Sequence, residues 1–204
     1  MDRVSVPAPR NEVKTIHKKA LSLQHVGKQE EALSYFDKAL EIAPNNAELL
    51  YDKAISLQML FRFEEAIICY NKSLKIDPKN FAAFINKGLC FSNPTINKHQ
   101  EALSCYEEAL RLEPDDPGAL SLKGYALDST GMYREAIACF DKVLETEPNE
   151  SNVLLNKGLS LSHLGKYDEA IAYFDKILED EPENFLASEL KKETMNMIKK
   201  DLIS

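Results

Sequence analysis

Five prolines, Pro44, Pro78, Pro114, Pro148 and Pro182, are separated by 34, 36, 34 and 34 residues. Ala32, Ala66, Ala102, Ala136 and Ala170 keep the same intervals, as do the aromatics Phe36, Tyr70, Tyr106, Phe140 and Phe174. Lys19, Lys53, Lys87, Lys123 and Lys157 step instead by 34, 34, 36 and 34, so a two-residue insertion falls between Lys87 and Ala102. Such registers do not arise by chance. The chain is a row of repeated units, each a supersecondary element that stacks on its neighbours.

The unit is clearest at Ser151–Pro182. Two apolar-periodic segments, Val153–Leu164 and Tyr167–Leu178, flank a Gly165-Lys166 break. In the second, Ala170, Ile171, Phe174, Ile177 and Leu178 follow the three- and four-residue spacing of one helical face. A lone helical hairpin cannot bury both faces of its helices, so each unit needs copies beside it. The residue after each register Lys is small (Ala20, Ala54, Gly88, Gly124, Gly158), where the first helix closely approaches the second. The repeated alanines give the matching small surface, and the aromatics fill the space between hairpins. Gly27, Gly131 and Gly165 end first helices where a left-handed residue is needed. Phe61 stands in that place in the second unit, which implies left-handed strain or a different turn. Asn46, Asn80, Asp116 and Asn184 are placed to cap the following helices, Asp116 with Pro117 behind it.

These signals predict hairpins at Asn11–Val26 with Gln29–Ile42, Ala47–Leu60 with Phe63–Ile76, and Phe81–Ser92 with Lys98–Leu112. Pro117–Thr130 with Tyr133–Thr146 and Ser151–Leu164 with Tyr167–Asp180 complete five. Phe185–Ile203 reads as an extra helix with Leu186, Leu190, Thr194, Met197, Ile198 and Leu202 on one stripe, covering the open end of the last unit. The domain reading is a flexible tail at 1–12, units at 13–46, 47–80, 81–116, 117–150 and 151–184, and a capping helix at 185–204. The longer turn of the third unit, SNPTINKH, reads as loop slack, which costs little.

Composition narrows the function. Hydrophobic residues make up 44% with only 8% aromatics and no Trp, which suits helix-on-helix packing. A net charge of −8 argues against a nucleic-acid partner. No apolar run reaches the length of a membrane span, and the start lacks the apolar core of an export signal. Cys69, Cys90, Cys105 and Cys139 have no C-x-x-C spacing, and three share one slot of the repeat, so they read as small buried residues in a reducing compartment. The expected location is cytoplasmic. His17 and His25 are eight residues apart, about 12 Å along a helix, too far to share a metal. With no H-E-x-x-H, phosphate loop or nucleophile set, the sequence predicts no metal, no cofactor and no catalysis.

Over Val13–Asn184 the hairpin with its small residue, alanine, aromatic and proline resembles the tetratricopeptide repeat. Lys stands before the small residue where that family usually carries Leu. The resemblance implies an all-α, right-handed solenoid whose first helices line a concave groove. By the family's pattern, groove-facing slots fall on His17, Tyr51, Ile55, Ile85, Leu89, Tyr125 and Leu155, with Asp52, Asn86 and Asn156 at the edge. The family's carboxylate clamp does not carry over: its cation slots hold His17, Leu21, Ala82 and Asn86. Lys14, His17, Lys18 and His25 make a mildly basic patch at the groove's N-terminal mouth, read first as a solvated helix end and second as a seat for an acidic residue. Leu21, Ile55, Leu89 and Leu159 can equally be packing residues, whereas Tyr51 and Tyr125 combine an apolar body with a polar end. Asn86 and Asn156 could read a peptide backbone or stand solvated. The expected function is a non-enzymatic scaffold that lays a peptide or helix of a partner protein in the groove. The competing expectation is a spacer that self-associates through the C-terminal helix.

Overall fold

The structure is a computed structural model and describes residues 10–201. Residues 1–9, and Leu202 and Ile203 of the expected cap helix, lie outside the described residues. Among the described residues there are eleven α-helices and no strand. They fall into two compact units, residues 1–97 and 98–204, with the boundary inside the longer turn of the third repeat.

The first unit holds α1 (Arg10–His25), α2 (Gln29–Ile42), α3 (Ala47–Met59), α4 (Phe63–Ile76) and α5 (Phe81–Ser92). Helix α1 opens at Arg10, so the last residues assigned to a tail are helical. Each helix packs on the next in the chain, and α3 also touches α1 and α5. Phe36 is fully buried with Ala20, Ala32 and Leu49, and Tyr70 with Ala54, Ala66 and Leu57. Phe36 and Tyr70 therefore do fill the core, each set against the small residue one helix back.

The second unit holds α6 (His99–Leu112), α7 (Pro117–Ser129), α8 (Tyr133–Thr146), α9 (Ser151–His163), α10 (Tyr167–Asp180) and α11 (Phe185–Asp201). Phe140 and Phe174 are fully buried against Gly124 and Gly158. Helix α11 keeps the register of a further first helix: Ala187, Lys191 and Thr194 stand 34 residues after Val153, Lys157 and Ser160. Its own second helix has no counterpart among the described residues. Met195, in the slot of the buried Leu161, is accordingly 42% exposed, and Lys192 occupies the slot of Gly158.

The turns follow one rule. The residue two before each second helix has positive φ: Gly27 at 78°, Phe61 at 59°, Asn97 at 50°, Gly131 at 80° and Gly165 at 74°. Phe61 thus adopts the left-handed geometry rather than a different turn. Asn97 fills the same place in the third repeat, and sequence reading did not single it out; Asn tolerates this region better than most residues. Nor is the insertion slack. The Asn93 side chain accepts from the Thr95 amide at 3.0 Å and hydroxyl at 2.8 Å, and its carbonyl accepts from the amides of Ile96 and Asn97. The expected caps form: Asn46, Asn80, Asp116 and Asn184 accept from the amides of Leu49, Ala83, Ala119 and Ala187.

The register lysines have a structural reason as well. Lys53 pairs with Asp37, Lys123 with Glu107, Lys157 with Asp141 and Lys191 with Asp175. In every case the acid lies 16 residues earlier, on the preceding second helix. The lysine where the family usually has Leu is one half of an ion pair repeated between hairpins. Lys87 has Asn71 at that distance in sequence and lies instead over the Phe91 ring, 5.8 Å from its centroid.

Candidate peptide-binding faces

In the first unit the polar groups of α1, α3 and α5 bridge neighbouring first helices. His17 Nε2 lies 2.6 Å from Asp52 Oδ2, with the two side chains only 12% and 14% exposed. Two turns along α1, the Gln24 amide donates to the Asp52 carbonyl and to Ser56 Oγ, both at 2.9 Å. Asn86 Nδ2 donates to the Tyr51 hydroxyl at 3.0 Å. The Tyr51 ring leans on Tyr70, centroids 5.9 Å apart, and burial pushes its phenol above the ordinary tyrosine range. Burial also raises the Asp52 carboxyl; the His17 bond opposes that shift and nearby Glu48 adds to it.

The same plan recurs in the second unit. Asn156 Nδ2 donates to the Tyr125 hydroxyl and to the Asn152 carbonyl. Asp128 on α7 accepts from Ser160 Oγ at 2.5 Å and lies 3.4 Å from His163 Nδ1, both on α9. Ser162 and Thr194 share a 3.2 Å bond between α9 and α11. Tyr125 stays 40% exposed, its ring edge-on to Phe140 at 6.0 Å. It borders a surface depression of about 440 Å³ with Ser121 and Asn152.

The expected site residues therefore separate by environment. His17 and Asp52 meet at the α1–α3 contact, while Tyr51 sits between Tyr70 of α4 and Asn86 of α5. Tyr125 and Asn156 form the matching pair in the second unit. Leu89 is exposed at 36%, while Ile55 and Ile85 are half-buried. Leu155 packs against the buried Leu154, Ile177 and Ala187, so part of that anchor belongs to the core. The Asn86 and Asn156 amides are neither a free row nor merely solvated, since each donates to a tyrosine of the preceding first helix. His17 likewise does not stand in the basic patch as a free imidazole. Glu48 and Asp128 fall on groove slots of the family's pattern, whereas sequence reading missed Ser160, whose importance depends on a partner about one repeat away in sequence.

Residues 12–79 match the family model for the tetratricopeptide repeat, and residues 95–177 match that for the anaphase-promoting complex, cyclosome, subunit 3. Residues 12–79 are thus tetratricopeptide repeats. Among solved structures it is similar to YrrB, described as a tetratricopeptide repeat protein with an unusual peptide-binding site: 26% identity over 87% of this chain and 90% of that one, TM-score 0.79. It is similar to MamA from Desulfovibrio magneticus RS-1, at 25% identity over 85% and 97% of the two chains, TM-score 0.78. A tetratricopeptide repeat protein from Parabacteroides merdae ATCC 43184 shares the fold at 21% identity, covering 94% and 75%, with TM-score 0.85. No curated protein sequence matches the chain. The fold is thus that of tetratricopeptide solenoid proteins, which generally act through protein–protein contacts. No helix among the described residues is long and apolar enough to cross a membrane.

Proposed function

We propose that this protein is a non-enzymatic scaffold whose first-helix faces bind an extended or helical segment of a partner protein. The observation that carries the reading is the Tyr125–Asn156 pair. An aromatic body stays 40% exposed on a first helix while its hydroxyl is held by an amide, which leaves a rigid apolar platform with a polar rim. Tyr51 with Asn86 repeats the device in the first unit, with Ile55 on the same helix as Tyr51 and Ile85 and Leu89 on that of Asn86. The peptide-binding description of YrrB supports the same reading. Cys69, Cys90, Cys105 and Cys139 are all buried thiols, which supports a reducing, cytoplasmic setting.

The test selects peptides from a random library on the full-length protein and titrates them against Tyr51→Ala and Tyr125→Ala variants. Loss of such an anchor costs about 1–2 kcal/mol, or roughly 5- to 30-fold in Kd, with the thermal melt nearly unchanged for Tyr125→Ala. Equal affinities in wild type and both variants would overturn the reading.

A second reading, self-association through α11, is favoured by that helix alone. Phe185, Leu186, Met195 and Met197 are 76%, 53%, 42% and 41% exposed, on a helix with the register of a first helix. Light scattering on the full chain and on Met195→Glu/Met197→Glu separates the two. A mass that falls in the variant supports association, and a monomer in both removes it.

A further inference from the structure

His17, Glu48 and Asp52 bring one imidazole nitrogen and two carboxylates together, and their ligand atoms all lie within 4.8 Å of one another. The geometry points to a divalent transition-metal site between α1 and α3, with Zn²⁺ the ion that fits the donors best. Two carboxylates from one helix meet an imidazole from its neighbour. Glu48 and Asp52 are four residues apart on α3, so their side chains project from the same face one turn apart.

Three features favour an ion there over a simple ion pair. Like charges at this spacing repel, and His17 supplies a compensating charge only when protonated, whereas a dication would satisfy both acids with the imidazole neutral. The Asp52 and His17 side chains are almost withdrawn from water, which makes the like-charge contact more costly than on an open surface. A cavity of about 670 Å³, lined by His17, Glu48, Lys14 and Asn46, borders the cluster and leaves room for water in the remaining coordination positions.

Donor chemistry selects the class. A nitrogen donor disfavours Mg²⁺ and Ca²⁺, and the absence of thiolate from the set disfavours soft ions, which leaves Zn²⁺ and its near neighbours. Zinc bonds of about 2.0–2.2 Å place ligand atoms roughly 3–3.5 Å apart. His17 and Asp52, now 2.6 Å apart, would separate by less than an ångström as the proton between them leaves. The sequence could not show this site, because its third ligand comes from the neighbouring repeat.

The test titrates the metal-free full chain with ZnCl₂ by calorimetry and with Co²⁺ by visible absorption. The expected result is one ion per chain, a Co²⁺ d–d band without thiolate charge transfer, and at least tenfold weaker binding in Glu48→Gln and in His17→Gln. Glu48 is exposed, so Glu48→Gln keeps the fold and carries the test if His17→Gln does not, while Glu64→Gln controls for general charge loss. No saturable binding, an affinity unchanged by Glu48→Gln, or a thiolate band marking the cysteines as ligands would overturn the proposal.

Discussion

The Phe140 ring occupies the space where a side chain on Gly124 would have to go: a Cβ there would lie 2.4 Å from Phe140 Cε1. Gly158 stands in the same relation to Phe174, at 2.6 Å. In the first unit the equivalent residues are Ala20 and Ala54, fully buried with Phe36 and Tyr70. The slot therefore accepts a methyl group only where the hairpin is built slightly wider.

Gly124→Ala sets two effects against each other. Alanine gains about 1 kcal/mol of helix propensity over glycine. Overpacking a closed core costs about 1–3 kcal/mol, and here the obstacle is the edge of a fully buried ring. The expected outcome is a net loss of about 1 kcal/mol in urea unfolding, largely restored by Phe140→Leu in the same chain. A more stable Gly124→Ala protein would show that the hairpin opens freely.

Phe61 holds φ at 59° while 78% exposed, and its visible return is an edge contact with Phe63 at 6.0 Å. Left-handed geometry costs a non-glycine residue about 1–2 kcal/mol, more than such an exposed contact supplies. Phe61→Gly should raise stability by about 0.5–1 kcal/mol after the glycine's extra unfolded-state entropy is counted. A lowered midpoint in chemical denaturation would mean that the Phe61 ring contributes more than its exposure suggests.

Among the repeated ion pairs, Lys157–Asp141 has the most buried lysine, 12% exposed against 49% for its partner. The Lys157 amine also meets the Tyr173 ring, 4.3 Å from its centroid. Burial opposes its charge, but bonds to Asp141 and Tyr173 prevail and hold its pKa above the ordinary lysine value. A double-mutant cycle on Lys157 and Asp141 should return a coupling of about 0.5–1 kcal/mol, and the more exposed Lys191–Asp175 pair less. Coupling that does not weaken at high salt would contradict a half-exposed Coulombic pair.

Asp52 makes stability depend on pH in an uncommon direction for a carboxylate. Its folded pKa is raised, burial being the first cause, so above about pH 4 the folded state binds the proton more tightly than the unfolded chain. Taken alone, the group lowers stability as pH rises through that window. The sign follows from the folded state holding more protons there. Asp52→Asn should remove this slope, most visibly in a His17→Gln background where the opposing partner is gone. Parallel pH curves for the two chains would refute the assignment.

How much was legible in the sequence differs from residue to residue. The Pro, Ala, aromatic and Lys registers gave each of the first ten helices to within about two residues at its ends, because helical periodicity and caps are local properties. The side-chain caps at Asn46, Asn80, Asp116 and Asn184 were equally readable. Asn97 was missed since it is not glycine and the insertion displaces it from the 34-residue count.

The amino-acid order by itself determined the kind of unit, its length and which residues are small, aromatic or capping, since each of these acts within a few turns of its own chain. Tertiary structure alone decided the partners. That Asn86 donates to Tyr51, Asn156 to Tyr125, and that Asp52 meets His17, depends on how one first helix is set against the next. Such pairs lie 31 to 35 residues apart. A difference of a few residues within that span turns a side chain to another face of its helix, so spacing names the candidates and only packing selects among them.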